Sequence, residues 1–270
     1  MSQNSGQRFF GPDDPRIIRP NWPAPDNIVA FTTTRLQGAS RAPYGSFNLA
    51  SHVGDDANSV EHNRQSLMQG MDADICLQWL DQIHSNAVVQ ASSFSQFEAS
   101  IPQADAIVSQ QIGEACAVLT ADCLPILLYD KTSKSVAAVH AGWRGLAQGI
   151  IENTVAAMLA NRSAPSEQIL AWLGPAIGAC HFEVGQQVRN AFLLNQDSND
   201  KQLLDCFVKL PAPGKYLADL YKLAKFRLGQ LGISKVYGGD YCTCCQNERF
   251  YSYRKEGLTG RMASIIYRRA

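Results

Sequence analysis

The apolar positions of the chain switch repeatedly between the period of a strand and the period of a helix. Residues 29–34 are β-branched and apolar and predict a strand. A turn-rich stretch follows over 35–54, carrying Gly38, Pro43, Gly45 and Gly54. A loop that long inside a compact domain is usually there for function. Asp55 and Asp56 are good helix N-caps, and the spacing predicts a helix from there to about Gly70. Residues 79–90 read as strand, turn, strand, with Ser85-Asn86 at the turn. Three further apolar runs, 117–120, 126–130 and 136–140, read as strands, and Lys131-Thr-Ser-Lys134 has the composition of a hairpin turn. Gly142 breaks the pattern, after which Leu146, Ile150, Ile151, Val155 and Met158 recur at helical spacing. Residues 184–194 and 219–231 predict further helices, Glu183 opening the first, and 251–254 and 262–267 predict closing strands. Hairpins mixed with helices imply an α/β protein of the α+β type with mixed or antiparallel sheets, not a regular β-α-β winding.

Charge narrows the partners. Lys plus Arg and Asp plus Glu both number 24, so the formal net charge is zero and the pI is near 6.9. Nucleic-acid binding rests on phosphate neutralisation and a basic excess, which this chain lacks, so a small-molecule substrate is expected. The longest apolar stretch, 115–129, is broken by Asp122 and Pro125 and is too short to span a bilayer. Residues 1–14 lack the apolar segment of a secretory signal. Eight cysteines at irregular spacing then read as core residues and metal ligands of a cytoplasmic protein.

The chemistry concentrates around Cys123 and His140. In an antiparallel hairpin the indices of paired residues sum to a constant. With Asp130 opposite Ser135, His140 faces Pro125, and Cys123 lies two residues away on the same face. With Asp130 opposite Lys134, His140 and Cys123 fall on opposite faces; the pattern leaves both registers open. A third ligand must come from His52, His62, His84 or His181, of which His84 stands at a strand end before a turn. Two His and one Cys leave a tetrahedral zinc one open position, the layout of a catalytic site. Copper is the alternative ion for such a donor set, but a multicopper cluster needs many histidines, and this chain has five with no His-x-His pair. Cys123 as a nucleophile with His140 as its base is a third reading, and a non-catalytic binding protein a fourth.

A series of motifs adds to this. Gly45-Ser-Phe-Asn-Leu49, His52-Val-Gly-Asp-Asp56, Asn63-Arg64, Gln82-Ile-His84, Thr120-Ala-Asp-Cys-Leu-Pro125, His140-Ala-Gly-Trp-Arg-Gly145, Gly174-Pro-Ala-Ile-Gly178, Phe182-Glu-Val-Gly185, Ser252-Tyr-Arg254 and Thr259-Gly-Arg261 resemble, in order, the motifs of the YfiH family. This family is also called the laccase-domain or polyphenol oxidase family and is related to the mammalian purine nucleoside phosphorylase FAMIN. The resemblance implies a four-layer α-β-β-α sandwich, a fold shared with a glutamine-deamidating bacterial toxin. It sets residues 28–270 apart as a catalytic domain, expected to be monomeric, behind an extension over 1–27. It implies zinc on His84, Cys123 and His140, with phosphorolysis of adenosine, inosine and methylthioadenosine and a side activity of adenosine deamination. Phenol oxidation and hydrolytic editing of peptidoglycan precursors are the alternatives the family suggests.

Arg64 and Arg144 are the candidates for holding phosphate, because guanidinium offers its oxygens a bidentate fork. Ser46 and Asn48 sit in the long loop, which the resemblance places over the substrate. Asp122, beside Cys123, reads as a carboxylate supporting the ligands, with a plain turn residue as the alternative. His181-Phe-Glu183 with Cys242-x-x-Cys245 imitates the signature of zinc nucleoside deaminases. Tyr241 stands where that signature has proline, and the gap of nearly sixty residues is long. The expectation is therefore that Cys242, Cys244 and Cys245 are reduced cysteines of a packed C-terminal region.

Overall fold

The computed structural model describes residues 10–11, 13–91, 101–160, 166–194 and 200–270. Two large sheets carry most of the strands. One has five, in the order β1 (Ile17–Ile18), β2 (Ile28–Thr33), β14 (Met262–Arg268), β6 (Glu114–Thr120) and β3 (Cys76–Gln78). The other has six, in the order β13 (Val236–Gly238), β9 (Ile169–Leu173), β7 (Leu124–Asp130), β8 (Val136–Ala141), β5 (Ala106–Ser109) and β4 (Val88–Gln90). A small antiparallel sheet orders β10 (Glu183–Gly185), β12 (Lys215–Ala218) and β11 (Phe207–Lys209). Both large sheets are mixed: β3 runs parallel to β6, β4 to β5 and β13 to β9, and the other pairs are antiparallel.

Strand β7 shows why the sheets stack. Every one of its residues is buried, and alternate side chains serve different cores. Leu127 and Tyr129 point between the two sheets, where they join Ile107, Val118, Trp172, Met262 and Ile266. Leu124, Ile126 and Leu128 point the other way, into a core shared with Ile150, Ile151, Val155, Leu223 and Phe226. Those last residues come from helices α3 (Ile150–Leu159) and α6 (Leu220–Gln230). The outer face of the five-stranded sheet packs Phe31, Ala117 and Ile265 against Leu67 of helix α1 (Ala57–Gln69). The layers are thus α-β-β-α, as the motif series implies. Short helices α2 (Trp143–Ala147), α4 (Gln186–Leu193) and α5 (Lys201–Leu204) add Leu146, Val188, Phe192 and Leu203 to the core shared with α3 and α6, whereas α7 (Tyr253–Glu256) buries no residue.

Several local expectations hold. Asp56 caps α1 by accepting from the Ser59 amide, and the helix expected over 219–231 forms as α6, with Asp219 as its cap. The hairpin takes the Ser135 register, with Pro125 opposite His140 and the Asp130 amide donating to the Ser135 carbonyl at 3.0 Å. Others need correction. Residues 79–90 are not a hairpin: β3 ends in one sheet and β4 begins in the other, so the segment crosses between them. Glu183 lies in β10, and its helix starts three residues later. Residues 251–254 do not form a strand, because Ser252 accepts from the Lys255 amide and starts α7. Within segment 1–27, Ile17–Ile18 pairs with β2 and Phe10 packs in the outer core, while residues 1–9 and 12 lie outside the described residues.

Candidate active site

The site forms where the chain leaves one sheet for the other. Strand β6 ends at Thr120, three residues turn the corner, and β7 begins at Leu124. Asp122 in that corner has φ of 90°, a left-handed conformation unusual for a side-chain-bearing residue. Its carboxylate accepts from Thr243 Oγ1 at 2.5 Å and from the Arg254 amide at 2.6 Å, which ties the corner to the C-terminal loops. Asp122 therefore holds the backbone of the corner, and its carboxylate bonds go to Thr243 and Arg254 rather than to His84, Cys123 or His140. Cys123 follows, half-buried.

His84, Cys123 and His140 converge, with their donor atoms all within 4.8 Å of one another. Cys123 Sγ lies 3.9 Å from His84 Nε2, and the two imidazoles meet edge to face at 4.8 Å between centroids. One residue missed by the sequence reading organises both histidines. Asp105, fully buried immediately before β5, accepts from His140 Nδ1 at 2.7 Å, from the His84 amide at 3.0 Å and from the Ser85 amide at 2.6 Å. His84 has φ of 59°, and those amide contacts hold its strained backbone in place. With Nδ1 engaged by the carboxylate, His140 turns Nε2 toward Cys123 and His84.

The electrostatics follow from burial and proximity. Burial pushes the Cys123 thiol up, but His140 and His84 more than offset it and bring the pKa down to about 6. Burial lowers His140, while Cys123 and Asp105 raise it to about 9. Asp105 is itself held below the usual carboxylate range: its hydrogen bonds to His140 and Ser85 outweigh the opposing effect of burial.

These residues fit a metal ion. Two imidazoles and a thiolate are the donors zinc takes, and a carboxylate behind a ligating histidine is the usual support. Gly142 leaves the space open: a Cβ there would meet Cys123 Sγ and His84 Cδ2 at 3.2 Å each. A thiolate-imidazolium dyad would need Cys123 and His140 but has no use for His84. Replacing Asp105 with asparagine should keep the fold and weaken metal binding about 10- to 100-fold, measured by competition with a chromophoric chelator.

The three residues lie in a cavity of about 400 Å³, whose wall includes His52, Thr120, Phe182, Tyr253, Arg254 and Arg261. Its size is that of a small-molecule site. The Thr120 hydroxyl is buried with no protein partner. Of the polar residues predicted for substrate, Ser46, Asn48, Arg64 and Arg144 are not among those lining the cavity. Ser46 Oγ donates to the Arg35 carbonyl, and buried Asn48 bridges Ala50, Asp55 and the Arg261 amide. Arg64 donates to the Leu49 carbonyl with its guanidinium over Trp79, and Arg144 lies over Trp143. Arg254 and Arg261, which stand in two of the motifs but carry no predicted role, take the cavity positions instead. The cysteines of the C-terminal region divide. Cys244 is buried as expected, whereas Cys245 is exposed and Cys242 half-buried, and both turn toward Cys180 and His181.

A sequence profile of the family described as multi-copper polyphenol oxidoreductase laccase matches residues 29–269. The chain belongs to this family. Its relatives include a purine nucleoside phosphorylase of Pseudomonas aeruginosa, 44% identical over 93% of this chain and 97% of that protein. The purine nucleoside phosphorylase YfiH of Escherichia coli is 43% identical over 93% of this chain and 98% of its own length. Among crystal structures, a Neisseria meningitidis protein superposes with a TM-score of 0.85 at 43% identity, covering 94% of this chain and all of that one. YlmD from Geobacillus stearothermophilus gives 0.86 at 28% identity, with 97% and 99% covered. Among the described residues of this laccase-family member, no helix is long and apolar enough to cross a membrane.

Proposed function

We propose that this laccase-family chain is a zinc-dependent purine nucleoside phosphorylase acting on adenosine, inosine and methylthioadenosine, with adenosine deamination as a side activity. The observation that carries the reading is the convergence of His84, Cys123 and His140 in a cavity that also holds two arginines. The relatives named as purine nucleoside phosphorylases, matched over nearly their whole length, supply the substrate class.

Phosphorolysis forms a bond from a phosphate oxygen to C1′ of the ribose and breaks the bond from C1′ to the purine nitrogen. The electron pair leaves with the base, which takes up a proton. His84, Cys123 and His140 would hold the zinc ion, which would supply Lewis acidity when bound. Arg254 and Arg261 bring positive charge to the same cavity and suit an anionic co-substrate. Arg261 is half-buried, and burial lowers its pKa from the ordinary arginine value; an anion beside it restores the balance. Phe182 and Tyr253 offer aromatic faces for a flat base, each already approached by one guanidinium, Arg254 at 5.7 Å and Arg261 at 5.9 Å from the ring centroids.

The test is phosphate dependence. Purified protein with adenosine should release adenine and ribose 1-phosphate when inorganic phosphate is added and no adenine without it. Chromatography separates adenine, inosine and hypoxanthine in one run, so deamination is read alongside. Adenine release indifferent to phosphate would make the enzyme a hydrolase, and no purine product would leave peptidoglycan-precursor editing or phenol oxidation.

A further inference from the structure

A second cluster lies outside the catalytic group. Cys180 and His181 close the loop after β9, and Cys242 and Cys245 belong to the loop after β13. An isolated bridge between Ala176 and Cys242, and a 3.0 Å hydrogen bond from the Thr243 amide to the Ala176 carbonyl, hold the loops side by side. We propose that Cys180, His181, Cys242 and Cys245 form a second, structural zinc site.

Geometry carries the assignment. In a zinc tetrahedron with Zn–S of about 2.3 Å and Zn–N of about 2.0–2.1 Å, sulfurs stand roughly 3.8 Å apart and sulfur to nitrogen roughly 3.5 Å. Cys180 Sγ lies 3.9 Å from Cys242 Sγ and 3.5 Å from Cys245 Sγ. His181 Nδ1 lies 3.1, 3.9 and 3.4 Å from the sulfurs of Cys180, Cys242 and Cys245. All four donor atoms fall within 4.8 Å of one another. The sulfur of Cys242 also faces two backbone amides, Gly178 at 3.2 Å and Cys245 at 3.4 Å, which stabilise a thiolate there. A Cβ on Gly178 would crowd the cluster, meeting Cys242 Sγ at 3.1 Å and Cys180 Sγ at 3.4 Å.

Three thiolates and an imidazole close a zinc shell completely, so this site has no open position and its role is structural. What it clamps is the cavity wall. Arg254 Nη1 donates to the His181 carbonyl at 2.8 Å and Nη2 to the Glu183 carbonyl at 3.3 Å, so the loop bearing two ligands also seats the arginine. Thr243, between the other two ligands, holds Asp122 beside Cys123.

Zinc content of the full chain, purified without added metal, decides this independently of the catalytic reading. A protein with Cys180→Ser and Cys245→Ser should hold about one zinc fewer than the unaltered chain. A protein with His84→Ala and Cys123→Ser should keep about one zinc, with an X-ray absorption shell of three sulfurs and one nitrogen. If the first variant does not fold, the unaltered chain answers: two zinc ions average about two sulfurs each, whereas catalytic zinc alone has about one. Zinc content unchanged by Cys180→Ser with Cys245→Ser would overturn the proposal. So would a disulfide among these cysteines in freshly isolated protein, seen as a mass about two units low under non-reducing conditions. Zinc lost only with Cys180 and Cys245 would uphold this site and sink the catalytic one.

Discussion

His84→Ala is expected to abolish phosphorolysis as completely as Cys123→Ser or His140→Ala does. Each substitution removes one of three protein donors, and two remaining donors hold zinc poorly. Loss of a Lewis acid worth several kcal/mol, ~4 at the low end, corresponds to at least about a thousand-fold in kcat/KM. Elemental analysis should show the catalytic zinc lost from all three variants in parallel with activity. The parallel matters because Cys123 and His140, with a thiol near 6 and an imidazole near 9, also have the electrostatics of a nucleophilic dyad. That dyad predicts a different order. Cys123→Ser and His140→Ala would be inactive, while His84→Ala, which removes the weaker of the two imidazole contacts on the thiol, would keep part of its turnover. An active His84→Ala protein with unchanged metal content would therefore overturn the zinc reading.

How much of this arrangement the sequence discloses depends on the range of the contacts involved. The β7–β8 hairpin is local, so its two possible registers could be written down from the turn alone. Asp130 selects between them: its carboxylate accepts from the amides of Thr132 and Ser133 at 3.0 and 2.9 Å, which shapes the turn and sets Pro125 against His140. The helix cap at Asp56 is legible for the same reason. The segment 79–90 misleads because β3 and β4 find parallel partners in different sheets, a pairing that no local alternation encodes. Asp105 escapes notice because it lies at the head of an apolar strand, twenty-one residues from His84 and thirty-five from His140. A lone carboxylate leading into Ala106–Ser109 was the available signal, since a buried acid needs partners of its own. The partnership of Cys180 with Cys242 and Cys245 spans more than sixty residues, and the Cys-x-x-Cys spacing by itself shows only half of the set. Arg64 and Arg144 stand beside the candidate chemistry in the chain, but their guanidiniums lie over Trp79 and Trp143 and neither is among the residues lining the cavity.

The same shift from Arg64 and Arg144 to Arg254 and Arg261 gives the second large effect. Arg261 extends into the cavity from the residue before β14, its Nη1 donating to the carbonyls of Thr259 and Gly260 at 2.9 and 3.0 Å. Those bonds fix the guanidinium before any ligand arrives, so little freedom would be lost on binding a phosphate. Arg254 is fixed in the same way by the carbonyls of His181 and Glu183. A charge-assisted contact worth roughly 2–3 kcal/mol should cost about 30- to 160-fold in kcat/KM for phosphate when Arg261 becomes alanine. The loss should appear first in the phosphate KM, with turnover falling as well if the contact tightens in the transition state. Arg144→Ala, whose guanidinium lies over Trp143 outside the cavity lining, should leave the phosphate KM within a few-fold of the unaltered enzyme. Deamination of adenosine, which consumes water and no phosphate, should survive Arg261→Ala far better than phosphorolysis does. Initial rates over a phosphate series, with both products separated by chromatography, read all of these together. If Arg144→Ala raised the phosphate KM while Arg261→Ala and Arg254→Ala did not, the anion would be bound elsewhere than in this cavity.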